Sequence, residues 1–204
     1  MESFPRIVLS VLISYILGAV PLSYIMGRFL RGIDLREHGS GNLGAANTFR
    51  VLGPRAAIPV LLADIGNAFL AVRLVPVFGL ENQVFMLLAA LIVILGHNYS
   101  IFLRFSGGKG VGTTTGAFLA MAPIAVGICF ALWIMVLAVS RIVSVASMVA
   151  AVMLPVSVAL SVEVFGRDLH PSILYLAILV ALIVIYKHRS NIRRLREGTE
   201  RKIF

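Results

Sequence analysis

The stretch GVGTTTGAFLAMAPIAVGICFALWIMVLAVS, residues 110–140, contains no Asp, Glu, Lys or Arg. An uncharged run of about 18 residues is already long enough to cross a bilayer as a helix. As one straight helix this run would be about 46 Å long, well beyond the roughly 30 Å hydrocarbon core. Pro123 and Gly127 lie near its middle, where a missing N–H and a missing Cβ favour a break. The run therefore reads as two short segments joined near 123–127.

Working outward, residues 7–27, 82–103, 142–162 and 169–186 are equally free of charge, and 56–72 is interrupted only by Asp64. Hydrophobic residues make up 59% of the 204 positions and charged residues 13%, about half the charged share of a soluble domain. Only helices and closed barrels satisfy their backbone groups in lipid. Barrel strands alternate apolar and polar residues over about ten positions, which these runs do not. The expected fold is an all-α polytopic integral membrane protein, one membrane-embedded domain over 1–204. The first run lacks a small-residue cleavage site and is read as a retained span. Cys129 is the only cysteine, so no disulfide framework and no cysteine metal cluster is expected; it reads as a small lipid-facing or packing residue.

The net charge of +9 would suggest nucleic acid on a soluble protein, but here it bears on orientation, because cytoplasmic loops hold excess Lys and Arg. Arg28, Arg31, Arg36, Arg50 and Arg55 follow the first run, and Arg104 and Lys109 bracket the second glycine-rich stretch, after the run of 82–103. Lys187, Arg189, Arg193, Arg194, Arg196, Arg201 and Lys202 crowd the tail. Placing all of these inside, with the N-terminus outside, requires an odd number of crossings. Splitting 110–140 in two gives seven transmembrane helices, returns Arg141 to the cytoplasm, and leaves only Arg6, Arg73 and Arg167 outside. Five spans plus a re-entrant segment are the alternative with the same parity. Both put the C-terminus in the cytoplasm.

On this topology the polar clusters share the cytoplasmic face. SGNLGAANTFR (40–50) gathers Ser40, Gly41, Asn42, Asn47 and Arg50. Its glycines let backbone amides approach an anion, and Arg50 carries a planar fork suited to phosphate oxygens. An ordinary Gly-Asn turn beside a snorkelling arginine is the plainer reading. FSGGKGVGTTTG (105–116) sets Gly107, Gly108, Lys109 and Gly110 before an apolar helix, whose positive end favours an anion. It is not a Walker loop: Leu103 stands where the first glycine belongs and Gly110 where the hydroxyl belongs, so no nucleotide is implied. An interfacial loop with an anchoring lysine is its alternative. His97 lies in an apolar run and is either functional or a bundle hydrogen-bonder. Asp64 is expected to be structural, remote from the loops and paired within the bundle. Ser144 and Ser147 stand one turn apart on one helix side, and His188 and Asn191 are neighbours on a helix continuing from the last span. The remaining tail cations, Arg194 among them, read as a solvated, lipid-headgroup face.

SGNLGAAN, GHNYSIFLRFSGGKGVGT and HRSNIRRLREGTE, in this order, make the chain resemble the bacterial glycerol-3-phosphate acyltransferases that use acyl phosphate, the PlsY family. Ala46 and Gly112 stand where that family commonly has threonine and alanine, and Asn67 and Ala68 where a Lys-Gly pair is common. The resemblance implies acyl transfer from acyl phosphate to the 1-hydroxyl of glycerol 3-phosphate, giving lysophosphatidic acid and phosphate at the inner membrane. It implies binding or catalytic roles for Ser40, Asn42, Arg50, Lys109, His188 and Asn191, and more loosely for Ser144 and Ser147. The base is His188 or a substrate phosphate oxygen. No residue five positions after a histidine is an aspartate (Leu43, Phe102, Tyr175 and Arg193 stand there), so the His-x-x-x-x-Asp signature of thioester-using acyltransferases is missing. No obligatory cofactor, metal, nucleic acid or protein partner is expected; the partners are the two substrates and membrane lipid. An organic-phosphate transporter is the rival function.

Overall fold

The computed structural model describes residues 3–203, and they form helices joined by loops. Two compact units divide the chain, the first ending at Ala120 and the second beginning at Met121. The first unit holds α1 (Ser3–Ala19), α2 (Leu22–Arg31), α3 (Ala45–Leu52), α4 (Pro54–Arg73), α5 (Gln83–Asn98) and nearly all of α6 (Val111–Met121). The second holds α7 (Pro123–Ser140), α8 (Val143–Glu163), α9 (Ser172–Lys187) and α10 (Arg189–Arg196).

Among the described residues four segments are long and apolar enough to cross a membrane: Phe4–Arg31, Pro54–Phe78, Pro123–Ser140 and Val143–Glu163. A bent pair, α9 with α10, makes a fifth, while α5 and α6 are shorter apolar helices. The uncharged run of 110–140 breaks at Ala122, immediately before Pro123. The break is uneven: α6 rises only about 16 Å and α7 about 27 Å.

Two continuities expected from the sequence are interrupted. The first apolar run is not one helix, because Val20 and Pro21 separate α1 from α2. Pro21 has no N–H to offer the Leu17 carbonyl four residues back. Asn67 of α4 donates its side-chain amide to that oxygen instead, at 3.2 Å, and the Ser100 hydroxyl caps the Ala19 carbonyl at 2.5 Å. A carbonyl freed in lipid needs such a partner. The tail helix does not continue straight from α9 either: it bends by 54° at His188.

In the first unit α1 packs chiefly on α5, and α4 lies against α1, α2, α3 and α5. Gly18 and Gly96 face each other's helices so closely that a Cβ on Gly18 would run into the Val93 carbonyl, and one on Gly96 into the Tyr15 carbonyl. Gly116 meets the Ile65 backbone of α4 in the same manner. Close helix approach through small residues is the main packing device available in lipid. In the second unit α8 is the middle element, packed on α7 and on α9. Buried Cys129 of α7 sits 3.3 Å from the Ser157 hydroxyl of α8, the packing role expected of it.

Candidate active-site residues

The segment from α2 to α3 is built around two side chains. Buried Asp34 takes hydrogen bonds from the Arg36 backbone N–H at 2.9 Å and from the Arg36 guanidinium at 2.6 Å, with Arg28 3.8 Å away. Both guanidinium groups also lie 5.4 Å from the Tyr24 ring centre. The hydrogen bonds from Arg36 outweigh burial and hold the Asp34 carboxyl at about 2. A lowered folded-state value stabilises above the ordinary carboxylate pKa and is lost as pH falls through the folded one. Proteolytic nicking of residues 32–39 in the wild type should therefore rise between about pH 4 and pH 2. Asp34→Asn should already be nicked at neutral pH; equal resistance of the two proteins would contradict this role.

Asn47, fully buried on α3, is the second organiser. Its Oδ1 accepts the Ser40 backbone N–H at 2.8 Å, and its Nδ2 donates to the carbonyls of His38 at 3.0 Å and Leu35 at 3.2 Å. Gly41 adopts φ +71°, the left-handed region, and its Cβ position is closed by the Arg36 carbonyl. Ser40 and Asn42 thus sit half-buried on a turn clipped from α3, and Arg50, also half-buried, lies one turn further along that helix. Asn47 is a clip for the loop, and Arg36 serves Asp34.

The glycine-rich loop is backed by the end of α5. The Gly108 N–H donates to the His97 carbonyl at 3.1 Å, Gly107 lies against the His97 and Asn98 backbone, and Gly110 (φ +80°) against the Asn98 side chain. A Cβ on Gly107 or Gly108 has no room. Half-buried Lys109 projects from this loop directly before α6, whose first-turn N–H groups have no partner within the helix. Asp64 is not remote from the loop, contrary to the sequence expectation. Its Oδ1 lies 3.5 Å from His97 Nδ1, and both residues line a pocket that Gly107 and Gly108 close.

The second unit presents a separate cluster. His188 is 3% exposed and caps the bend between α9 and α10. Its Nδ1 lies 2.7 Å from the Val184 carbonyl. A carbonyl only accepts, so Nδ1 carries the hydrogen and the lone pair of the neutral ring falls on Nε2. Asn191 donates its Nδ2 to Glu200 Oε1 at 2.6 Å, and the Ser144 hydroxyl donates to the same oxygen at 2.7 Å. Arg194 binds Glu200 Oε2 at 2.6 Å, so this cation belongs to a half-buried ion pair and not to a solvated face. Ser147 serves a different contact from Ser144, accepting the Trp133 indole N–H at 3.2 Å.

Sequence reasoning missed Glu200 as the organiser of this cluster, although it ends the third quoted motif. Burial pushes its carboxyl up, but the hydrogen bonds from Ser144, Asn191 and Arg194 prevail and hold it below its usual value. Glu200→Ala removes the acceptor shared by Arg194, Ser144 and Asn191, and should cost on the order of 2 kcal/mol of stability. Thermal unfolding in detergent checks this; an unchanged midpoint would contradict it. Among the described residues no group of three His, Cys, Asp or Glu side chains is placed to hold a metal ion.

These features define a polytopic helical membrane protein with a cationic glycine loop suited to an anion. The chain belongs to the glycerol-3-phosphate acyltransferase family, whose model matches residues 8–198. It is 41% identical over 197 residues to the glycerol-3-phosphate acyltransferase of Carboxydothermus hydrogenoformans, covering 97% of this chain and 96% of that one. It is 44% identical over 195 residues to glycerol-3-phosphate acyltransferase 2 of Moorella thermoacetica, covering 96% of each. A solved structure of PlsY (YgiH), an integral membrane glycerol 3-phosphate acyltransferase, in its glycerol 3-phosphate form superposes with TM-score 0.86 at 32% identity, covering 97% of this chain and 96% of that one. Its lysophosphatidic acid form gives 0.84 at 30% identity, covering 97% and 95%.

Proposed function

We propose that this enzyme moves a fatty acyl group from acyl phosphate to the 1-hydroxyl of glycerol 3-phosphate, releasing lysophosphatidic acid and phosphate. The observation that carries the reading is the loop of residues 107–110. It is held against α5 with Lys109 at the start of α6, in a chain whose family acts on a phosphate ester. Ser40, Gly41, Asn42 and Arg50 supply a second anion-binding set on the turn clipped by Asn47. Gly107, Gly108 and Gly110 with Lys109 hold phosphate oxygens, and Lys109 offsets charge that grows as the acyl carbon is attacked.

The donor carries its own leaving group, so no acyl-enzyme is needed. The acceptor hydroxyl oxygen attacks the acyl carbon, the carbon–oxygen bond to phosphate breaks, and phosphate leaves with the electron pair. His188, its ring held by the contact of Nδ1 with the Val184 carbonyl, is assigned the hydroxyl proton. The proton then passes to the departing phosphate. Asn191, fixed through Glu200, orients substrate, and Ser144 and Ser147 are assigned supporting contacts to it. Holding both reactants in place supplies a large part of the acceleration.

The whole chain is taken as one acyltransferase domain in the bacterial inner membrane, without cofactor or obligatory protein partner. Seven membrane segments, α1–α2, α4, α5, α6, α7, α8 and α9, put the N-terminus outside and the basic tail in the cytoplasm. The distribution of Lys and Arg supports that orientation. Cysteine labelling at Ser40 and Lys109 tests it. Reaction in inside-out but not right-side-out vesicles is expected, and labelling of both from the outer face overturns it. Acyl phosphate should support turnover where the matching acyl thioester does not.

A further inference from the structure

A polar pair inside the first unit has no part in the chemistry above. Asp64, midway along α4, and His97, in the last turn of α5, are both buried, with Oδ1 and Nδ1 3.5 Å apart. His97 touches the glycine loop twice. Its carbonyl accepts the Gly108 N–H at 3.1 Å, and its Nε2 fills the place where a Gly108 side chain would stand. Asp64 is in turn packed against Gly112 in the first turn of α6. The pocket behind the loop is lined by both side chains together with Ser23, Ser100 and Gly108. Without the imidazole, that space would let the loop move inward.

We infer that Asp64 and His97 are positioning residues for the phosphate loop: the carboxylate fixes the imidazole, and the imidazole sets the depth of Gly108 and hence of Lys109. A buried aspartate and histidine are costly in lipid unless each supplies the other's partner. The pair therefore locks one ring orientation against the loop. Neither group touches substrate in this account. The inference rests on the phosphate-binding role given to Lys109.

The test uses the purified full-length protein with Asp64→Asn, His97→Ala, Gly108→Ala and the double variant His97→Ala/Gly108→Ala. Hydrogen exchange of the amides at 107–111 should rise by about tenfold or more in Asp64→Asn and His97→Ala, with α1, α4 and α5 as protected as in the wild type. In turnover, KM for glycerol 3-phosphate should rise about tenfold while kcat changes far less. Because removing the ring vacates the place a Gly108 side chain would occupy, the double variant should be no worse than Gly108→Ala alone. Unchanged exchange in the loop, a rise spread over the whole unit, or additive losses in the double variant would each overturn the inference. Exchange decides it even if the wild type transfers no acyl group, an outcome that would sink the proposed reaction instead.

Discussion

Lys109→Ala is expected to lower turnover by about 10²- to 10³-fold while the protein remains folded. The magnitude is that of removing one positioned donor or cation from a site that stabilises developing charge. The structure gives the reason for expecting a large effect. Lys109 sits on a loop with no slack, because Gly107 and Gly108 lie against the α5 backbone and the His97 ring. No neighbouring residue of that loop carries a charge, and the α6 N-terminus adds only a partial one. Arg50→Ala should act more on KM for glycerol 3-phosphate than on kcat. Arg50→Lys should recover little of the loss, since a point charge does not replace a planar fork. Steady-state kinetics on monodisperse protein checks both, and near-normal rates would remove Lys109 and Arg50 from the site.

The second large effect is on folding. Gly18→Val and Gly96→Val should each destabilise the first unit by about 3 kcal/mol or more, at the upper end of what overpacking costs. Both positions face backbone atoms across the α1–α5 crossing, so no flexible side chain can yield. Loss of this crossing also moves the Ser100 hydroxyl away from the Ala19 carbonyl and Tyr15 away from the Tyr99 carbonyl, exposing bond-free groups at the Pro21 break. A substitution at Gly66 or Gly127, where a Cβ meets nothing, is the control and should be tolerated. The denaturation midpoint in detergent separates the two groups. Equal stability of all four variants would mean that α1 and α5 do not meet as described.

Apolar helices were legible in the sequence because absence of charge is a local property. The break in 110–140 was legible because Pro123 announces it. Pro21 carried the same signal, yet apolar residues on both sides masked it, and the groups that repair the break, Asn67 and Ser100, lie far away in sequence. The contact of Asn67 with the Leu17 carbonyl gives that position a structural role. The two glycine-rich loops and the His188–Asn191 pair were legible from composition and spacing. Glu200 was not: Gly198, at φ +68°, turns the tail back so that the carboxylate meets Ser144, and no periodicity foretells a return of that kind. The Asp64–His97 pair joins two helices, and only tertiary packing reveals that it abuts the loop.

Purified wild-type protein in lipid, given acyl phosphate and glycerol 3-phosphate, tests the account most directly through the yields of lysophosphatidic acid and inorganic phosphate. Both products are expected in equal amounts, and neither when glycerol 3-phosphate is left out. Entry of glycerol 3-phosphate into sealed vesicles with no lysophosphatidic acid formed would contradict it.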